Sequence, residues 1–171
     1  TLSYYSTTCV SLETGLARSE GNIAGGVRNP HIPDTQWGWQ IDPDGLHYAL
    51  NEIYDRYGLP IMIVENGLGA QDNLIEENGV YVVHDDYRID YLKEHIKAME
   101  EAINEGVDLI GYTPWGCIDL ISGSTGEMKK RYGFIYVDKN DDGSGTFNRY
   151  KKDSFYWYKK VIESNGNCLE E

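Results

Sequence analysis

The sequence predicts an α/β fold built on a parallel sheet. Two observations carry that reading. Short apolar runs rich in β-branched residues, such as "IMIV" at 61–64, alternate along the chain with stretches of helical periodicity. Hydrophobic strands alternating with helices read as a parallel sheet covered by helices. The second observation is that two strand ends run into residues able to do chemistry, Glu65 and Trp115. An open doubly wound sheet needs a glycine fingerprint after its first strand, and "GNIAGG" at 21–26 does not have that spacing. A (β/α)8 barrel places its catalytic side chains at the C-terminal ends of its strands, where Glu65 and Trp115 sit. A whole barrel takes about 250 residues. The 171 residues here supply three core strands, so a partial barrel is expected.

The elements follow in order. "LSYYS" at 2–6 reads as a short strand, and residues 11–36, rich in Gly, Ser, Asn and Pro, read as a long loop. A helix opens at Asp42, a good N-cap, with Pro43 in the first helical position. Leu46, Leu50 and Ile53 line one face of it, and Gly58 stops it. "LPIMIV" is the next strand, and "GLGAQDNLIEENG" a loop. Leu92, Ile96, Met99 and Ile103 recur at helical spacing and predict a helix over 85–104. "VDLIGYTPW" is a strand, "RYGFIYVD" is strand-like, "DDGSG" is a hairpin turn, and "DSFYWYKKVIES" is an amphipathic closing helix.

Composition bounds the function. Apolar residues make up 40% and charged residues 25%, ordinary for a globular domain with a real core. A formal charge of −13 argues against nucleic acid or an anionic membrane as partner, because both need a basic face. No run could span a bilayer and no signal peptide is evident. The first residue is Thr1, so the N-terminus is expected to be a cut. Cys9, Cys117 and Cys168 are too few and too scattered for a disulfide framework or a zinc site. No metal spacing links His31, His47, His84 and His95, and His95 is expected to be partly exposed on its helix. "DKNDDG" at 138–143 imitates an EF-hand start, but the twelfth position is Arg149, which excludes calcium. Trp37 and Trp39 are expected to serve packing. A reducing cytoplasm is the simplest setting.

At "IMIVENG" the sequence resembles glycoside hydrolase family 1, in which a strand ends in a hydrophobic run and E-N-G. "GWQIDPDGL", "DDYRIDYLKEHI", "GYTPWGCIDLISGSTGEMKKRYGFIYVD" and "SFYWYKKVI" resemble further family motifs in order, so the likeness covers essentially the whole chain. It implies that residues 1–171 are the C-terminal part of a single glycoside hydrolase barrel domain, strands six to eight with their helices. It implies that Glu65 is the nucleophile, with Tyr5 hydrogen-bonded to it, and that Trp115 is the floor beneath the sugar. The family's acid/base lies in an N-E-P motif, which does not occur in these residues. The isolated chain is therefore expected to be inactive. Three strands cannot close a barrel, so self-association or pairing with the missing N-terminal portion is expected.

One loop narrows the substrate. Neutral β-glucosidases of the family carry Glu-Trp where this chain has Ser122-Gly123. A carboxylate there would repel a phosphosugar by about 4 kcal/mol per unit charge at about 4 Å and an effective dielectric near 20. Ser122 removes that repulsion and leaves a hydroxyl. Lys130 and Tyr132 match the positions that hold a sugar 6-phosphate in the family's phospho-glycosidases, and alternation puts both on one side of an extended segment. Gly123, where phospho-β-galactosidases carry Trp, favours a phosphoglucoside. The resemblance thus implies a bacterial 6-phospho-β-glucosidase needing no cofactor or metal. The alternatives are a neutral β-glucosidase or β-galactosidase of the family, or a non-catalytic sugar-phosphate-binding or assembly fragment.

Overall fold

A computed structural model describes residues 1–16, 18 and 25–170. The chain divides into two compact units, residues 1–67 with 94–114, and residues 68–93 with 115–171.

The first unit holds a three-stranded parallel sheet of β1 (Leu2–Ser3), β2 (Ile61–Glu65) and β5 (Leu109–Tyr112), in the order β1-β2-β5. Leu2 lies opposite Ile63, and Ile61 opposite Leu109. The first strand is shorter than the 2–6 expected. Beyond it the Tyr4 amide still donates to the Glu65 carbonyl at 2.9 Å, where β2 ends. Helix α1 (Pro43–Tyr57) forms as its sequence dictates. The Asp42 side chain accepts from the Gly45 amide at 3.0 Å, and Gly58 leaves the helix in the left-handed region at φ 58°. Leu46 and Leu50 pack with Ile61 and Ile63 of β2 and with Met99, Ala102 and Val107 in one apolar cluster.

Helix α2 (Asp86–Asn104) contributes residues 94–104 to this unit and 86–93 to the second. Leu92 and Met99 are buried, but Ile103 is half exposed, since the helix ends one residue later and its last turn leaves the core. His95 is fully buried rather than exposed, tilted against the Tyr4 ring with centroids 6.0 Å apart. An imidazole has an apolar face that a core accepts, which polarity alone does not reveal.

The second unit is held by two antiparallel hairpins. Strands β3 (Ile75–Glu77) and β4 (Val80–Val82) pair within a stretch read as loop. Their turn is Asn78-Gly79 with φ 52° and 81°, the positive pair that an Asn-Gly hairpin requires. Strand β6 (Ile135–Val137) pairs with β7 (Arg149–Lys151) and stands outside the parallel sheet. The "DDGSG" turn lies in the loop joining them, where the Asn140 amide donates to Ser144 O at 2.8 Å. Helix α3 (Asp153–Glu163) buries Trp157 and Val161, and Tyr158 stacks on Phe134 at 4.9 Å.

Candidate active site

The first unit places Glu65 at the C-terminal end of β2, half-buried. The Tyr5 hydroxyl donates to Glu65 Oε2 at 3.0 Å. Tyr4 and Tyr5 diverge as strand neighbours do: Tyr4 is buried and donates to the Asp42 carbonyl at 2.5 Å, while Tyr5 turns to the carboxylate. Trp39 packs edge-on against the Tyr5 ring with centroids 5.3 Å apart, so the packing role expected of it fixes the phenol's direction.

The next residue, Asn66, is wholly buried and works as a crossbar. Its Nδ2 donates to Tyr4 O at 2.8 Å, and its Oδ1 accepts from the Tyr112 hydroxyl at 2.8 Å. One amide thereby ties the end of β2 to the strands on both sides. Thr113 adds to this, its amide donating to Ile63 O at 2.9 Å and its hydroxyl to Val64 O at 2.8 Å. The carboxylate is therefore carried on a strand end with little freedom to tilt.

The second unit gathers Trp115, Ser122, Lys130 and Tyr132. The Tyr132 hydroxyl donates to Ser122 Oγ at 3.1 Å, and both residues are buried. The Lys130 ammonium lies 5.7 Å from the Tyr132 ring centroid, and the Trp115 ring meets that ring edge-on at 6.5 Å. Burial pushes the Lys130 pKa down, with Glu127 pulling the other way. Burial pushes Tyr132 up, so its phenol stays a donor across the ordinary pH range. Gly123 is exposed on the loop, and a Cβ added there would meet nothing within 4 Å. A larger residue would be accommodated at that position.

Lys130 is fully buried although "KKR" resembles a solvated run; only Lys129 of the three is exposed. Gly69 makes room for it. A Cβ on Gly69 would stand 2.6 Å from Lys130 Cγ and 2.7 Å from Cε, so the lysine stem runs over a bare backbone. Ala70 and Arg131 exchange backbone hydrogen bonds of 3.0 and 2.8 Å, which fixes the two segments side by side.

Beneath that pair lies a buried ionic network that sequence reading did not reveal. Arg88, Arg131 and Lys152 meet Asp72, Asp85 and Asp119, all of them buried. Lys152 Nζ reaches Asp72 at 2.5 Å and Asp119 at 2.8 Å. Arg131 turns away from its neighbours Lys130 and Tyr132, donating to Val137 O at 2.6 Å and stacking on Tyr136 at 4.1 Å. Asp85 accepts from the Ser154 amide at 2.9 Å, capping the start of α3; burial raises its pKa and Ser154 and Arg88 oppose that. The charges balance three to three, as burial of so many ions requires. Charge type alone could not separate these six residues from the exposed acids and bases around them. Among the described residues no group of three or more His, Cys, Asp or Glu is placed to hold a metal ion, and no helix is long and apolar enough to cross a membrane.

A parallel sheet with a tyrosine-held carboxylate at the C-terminal end of a strand is the arrangement from which barrel enzymes build their sites. The chain belongs to glycosyl hydrolase family 1, whose model matches residues 1–167. It is 58% identical over 170 residues to a 6-phospho-β-glucosidase of Clostridium longisporum, covering 98% of this chain and 36% of that protein. An aryl-phospho-β-D-glucosidase of Bacillus subtilis is 58% identical over 168 residues, with 98% and 35% covered. A family 1 β-glucosidase structure from Thermotoga maritima superposes with a TM-score of 0.78 at 36% identity, covering 96% of this chain and 34% of that one. The chain thus spans about a third of the length of the relatives it matches.

Proposed function

We propose that the chain is the nucleophile-bearing part of a 6-phospho-β-glucosidase. Residues 1–171 would form the C-terminal part of one barrel domain, its strands six to eight with their helices. The reaction is hydrolysis of a 6-phospho-β-D-glucoside with retention. Glu65 attacks the anomeric carbon, forming a covalent glycosyl ester as the leaving oxygen takes a proton from a second carboxyl. Water then cleaves the ester, giving up its proton to that same carboxyl. In retaining enzymes the two carboxyls stand about 5–5.5 Å apart. The Tyr5 hydroxyl donates to Glu65 Oε2 at 3.0 Å and so orients the carboxylate for attack. Trp115 supplies an indole face for the CH groups of the pyranose.

The observation that carries the substrate class is the buried cluster of Ser122, Lys130 and Tyr132. Two hydroxyls and an ammonium set back from water suit a phosphate, which stabilises the cation that burial disfavours. Gly123 leaves the loop open beside them. The second carboxyl is assigned to residues outside this sequence, so the chain acts by pairing with them or within a longer protein, and alone it is inactive. Self-association of exposed strand edges is the competing outcome. Substrates of this kind arise when a glucoside is phosphorylated on entry, which assigns the enzyme to the cytoplasm.

The test compares an aryl β-glucoside with its 6-phosphate in the full-length enzyme. Lys130→Ala is expected to lower kcat/KM for the phosphorylated substrate at least about tenfold more than for the plain one, the worth of a charge-assisted contact. Equal losses on both substrates would overturn the phosphate assignment.

A further inference from the structure

Arg88 is a buried cation that the proposed reaction does not use. It is 2% exposed, and all five of its N–H groups are engaged. Nε donates to Asp85 Oδ2 at 2.9 Å, and Nη2 donates to the Tyr87 hydroxyl at 2.9 Å. The other three bonds go to backbone carbonyls: Leu68 at 3.1 Å, Tyr132 at 2.9 Å and Arg131 at 3.3 Å. Two carboxylates neutralise Arg88, Asp85 at 2.9 Å and Asp72 at 3.6 Å, but neutralisation alone does not need a fork. Arg88 directs most of its fork at peptide oxygens on two separate segments.

Those oxygens belong to the stretch that carries the anion-binding side chains. The Arg131 and Tyr132 carbonyls are in the backbone of the Lys130–Tyr132 segment, and Leu68 precedes the Gly69 over which the Lys130 stem lies. Side chains 130 and 132 leave the segment on one side while Arg131 enters the ionic network. Fixing the carbonyls therefore fixes the direction of both outward side chains. A lysine could not do this, since one ammonium cannot span three carbonyls on two segments while also meeting Asp85.

We propose that Arg88 is a positioning residue for sugar-phosphate recognition. Its guanidinium holds the backbone at 131–132 against 68, and so aims Lys130 and Tyr132 at one anion. This deepens the functional reading above and rests on it.

The experiment measures KM and kcat in the full-length enzyme for an aryl β-glucoside and for its 6-phosphate, with Arg88→Lys, Tyr87→Phe and Lys130→Ala compared with the parent. Arg88→Lys keeps the buried charge and loses the fork. It is expected to raise KM for the phosphorylated substrate about tenfold relative to KM for the plain one, with kcat changed less, as small misplacements of binding groups do. Tyr87→Phe removes the hydroxyl that accepts from Nη2 of the fork and is expected to shift the same ratio less. Should Arg88→Lys fail to fold, Tyr87→Phe decides. A merely structural role would cost folded protein and move both substrates alike, and that outcome overturns the inference. If Lys130→Ala shifts the ratio while Arg88→Lys and Tyr87→Phe do not, the positioning role alone falls. If Lys130→Ala leaves the ratio unmoved, the phosphate reading falls and this inference with it.

Discussion

Replacing Asn66 by Ala removes the crossbar at the end of β2. The side chain makes two hydrogen bonds of 2.8 Å in a fully buried position. Each made bond contributes about 0.5–1.5 kcal/mol net. The Tyr4 carbonyl loses the donor 2.8 Å away in a buried position, and depriving a buried polar group of a partner costs about 1–3 kcal/mol. The Tyr112 hydroxyl is only partly buried and recovers some of its loss from water. Together these give a loss of about 2–4 kcal/mol, large against the roughly 5–15 kcal/mol that holds a domain folded. Urea unfolding followed by tryptophan fluorescence measures it, at one fixed protein concentration so that association does not shift the midpoint. Asn66→Asp serves as the comparator. It keeps an acceptor for Tyr112, sets an oxygen against Tyr4 O, and is expected to be no more stable than the parent. A loss below about 0.5 kcal/mol for Asn66→Ala, the size of an ordinary surface change, would refute the crossbar.

Two further outcomes follow from the second unit. Lys152→Met is expected to destabilise by about 3–5 kcal/mol, because Asp72 and Asp119 lose the cation 2.5 and 2.8 Å away and remain buried; a parent-like unfolding midpoint would contradict the network. His84 binds Asp153 at 2.5 Å and Glu77 at 3.3 Å, and its hydrogen bond to Asp153 is the main cause holding its pKa above the ordinary 6.5. A raised folded pKa means this stabilisation is complete below pH 6.5 and is lost as pH rises through the raised value. Melting temperatures of the parent and of His84→Gln should converge with rising pH, and a constant gap would sink the assignment.

Much of the first unit was legible in sequence because its signals are local. Asp42, Pro43 and Gly58 bound α1 within the reach of a few residues, and the β-branched run marks β2. The Asn78-Gly79 turn carried an equally local signal, which a loop-like composition obscured. What could not be read were partnerships formed only in three dimensions. The burial of His95, Arg88 and Lys152 depends on partners brought together by folding, with Lys152 and Asp72 80 positions apart in the chain. Glu65, Tyr5, Lys130 and Tyr132 stand in recognisable motifs, but the contacts they make with Trp39, Gly69 and Ser122 form only on folding.

Gly69 carries a consequence for how this region can change over generations. Its backbone has no unusual φ, so nothing in its own conformation demands glycine; the demand comes chiefly from the stem of Lys130, with the Tyr132 ring close behind. A methyl group at 69 collides with the lysine stem, whereas a shorter residue at 130 leaves Tyr132 Cε1 at 3.1 Å as the remaining close contact, which a shift of a few tenths of an ångström relieves. Substitution is thus open in one order and blocked in the other. A lineage that first gives up its lysine can fill position 69 afterwards, and having filled it, cannot recover the lysine in a single step.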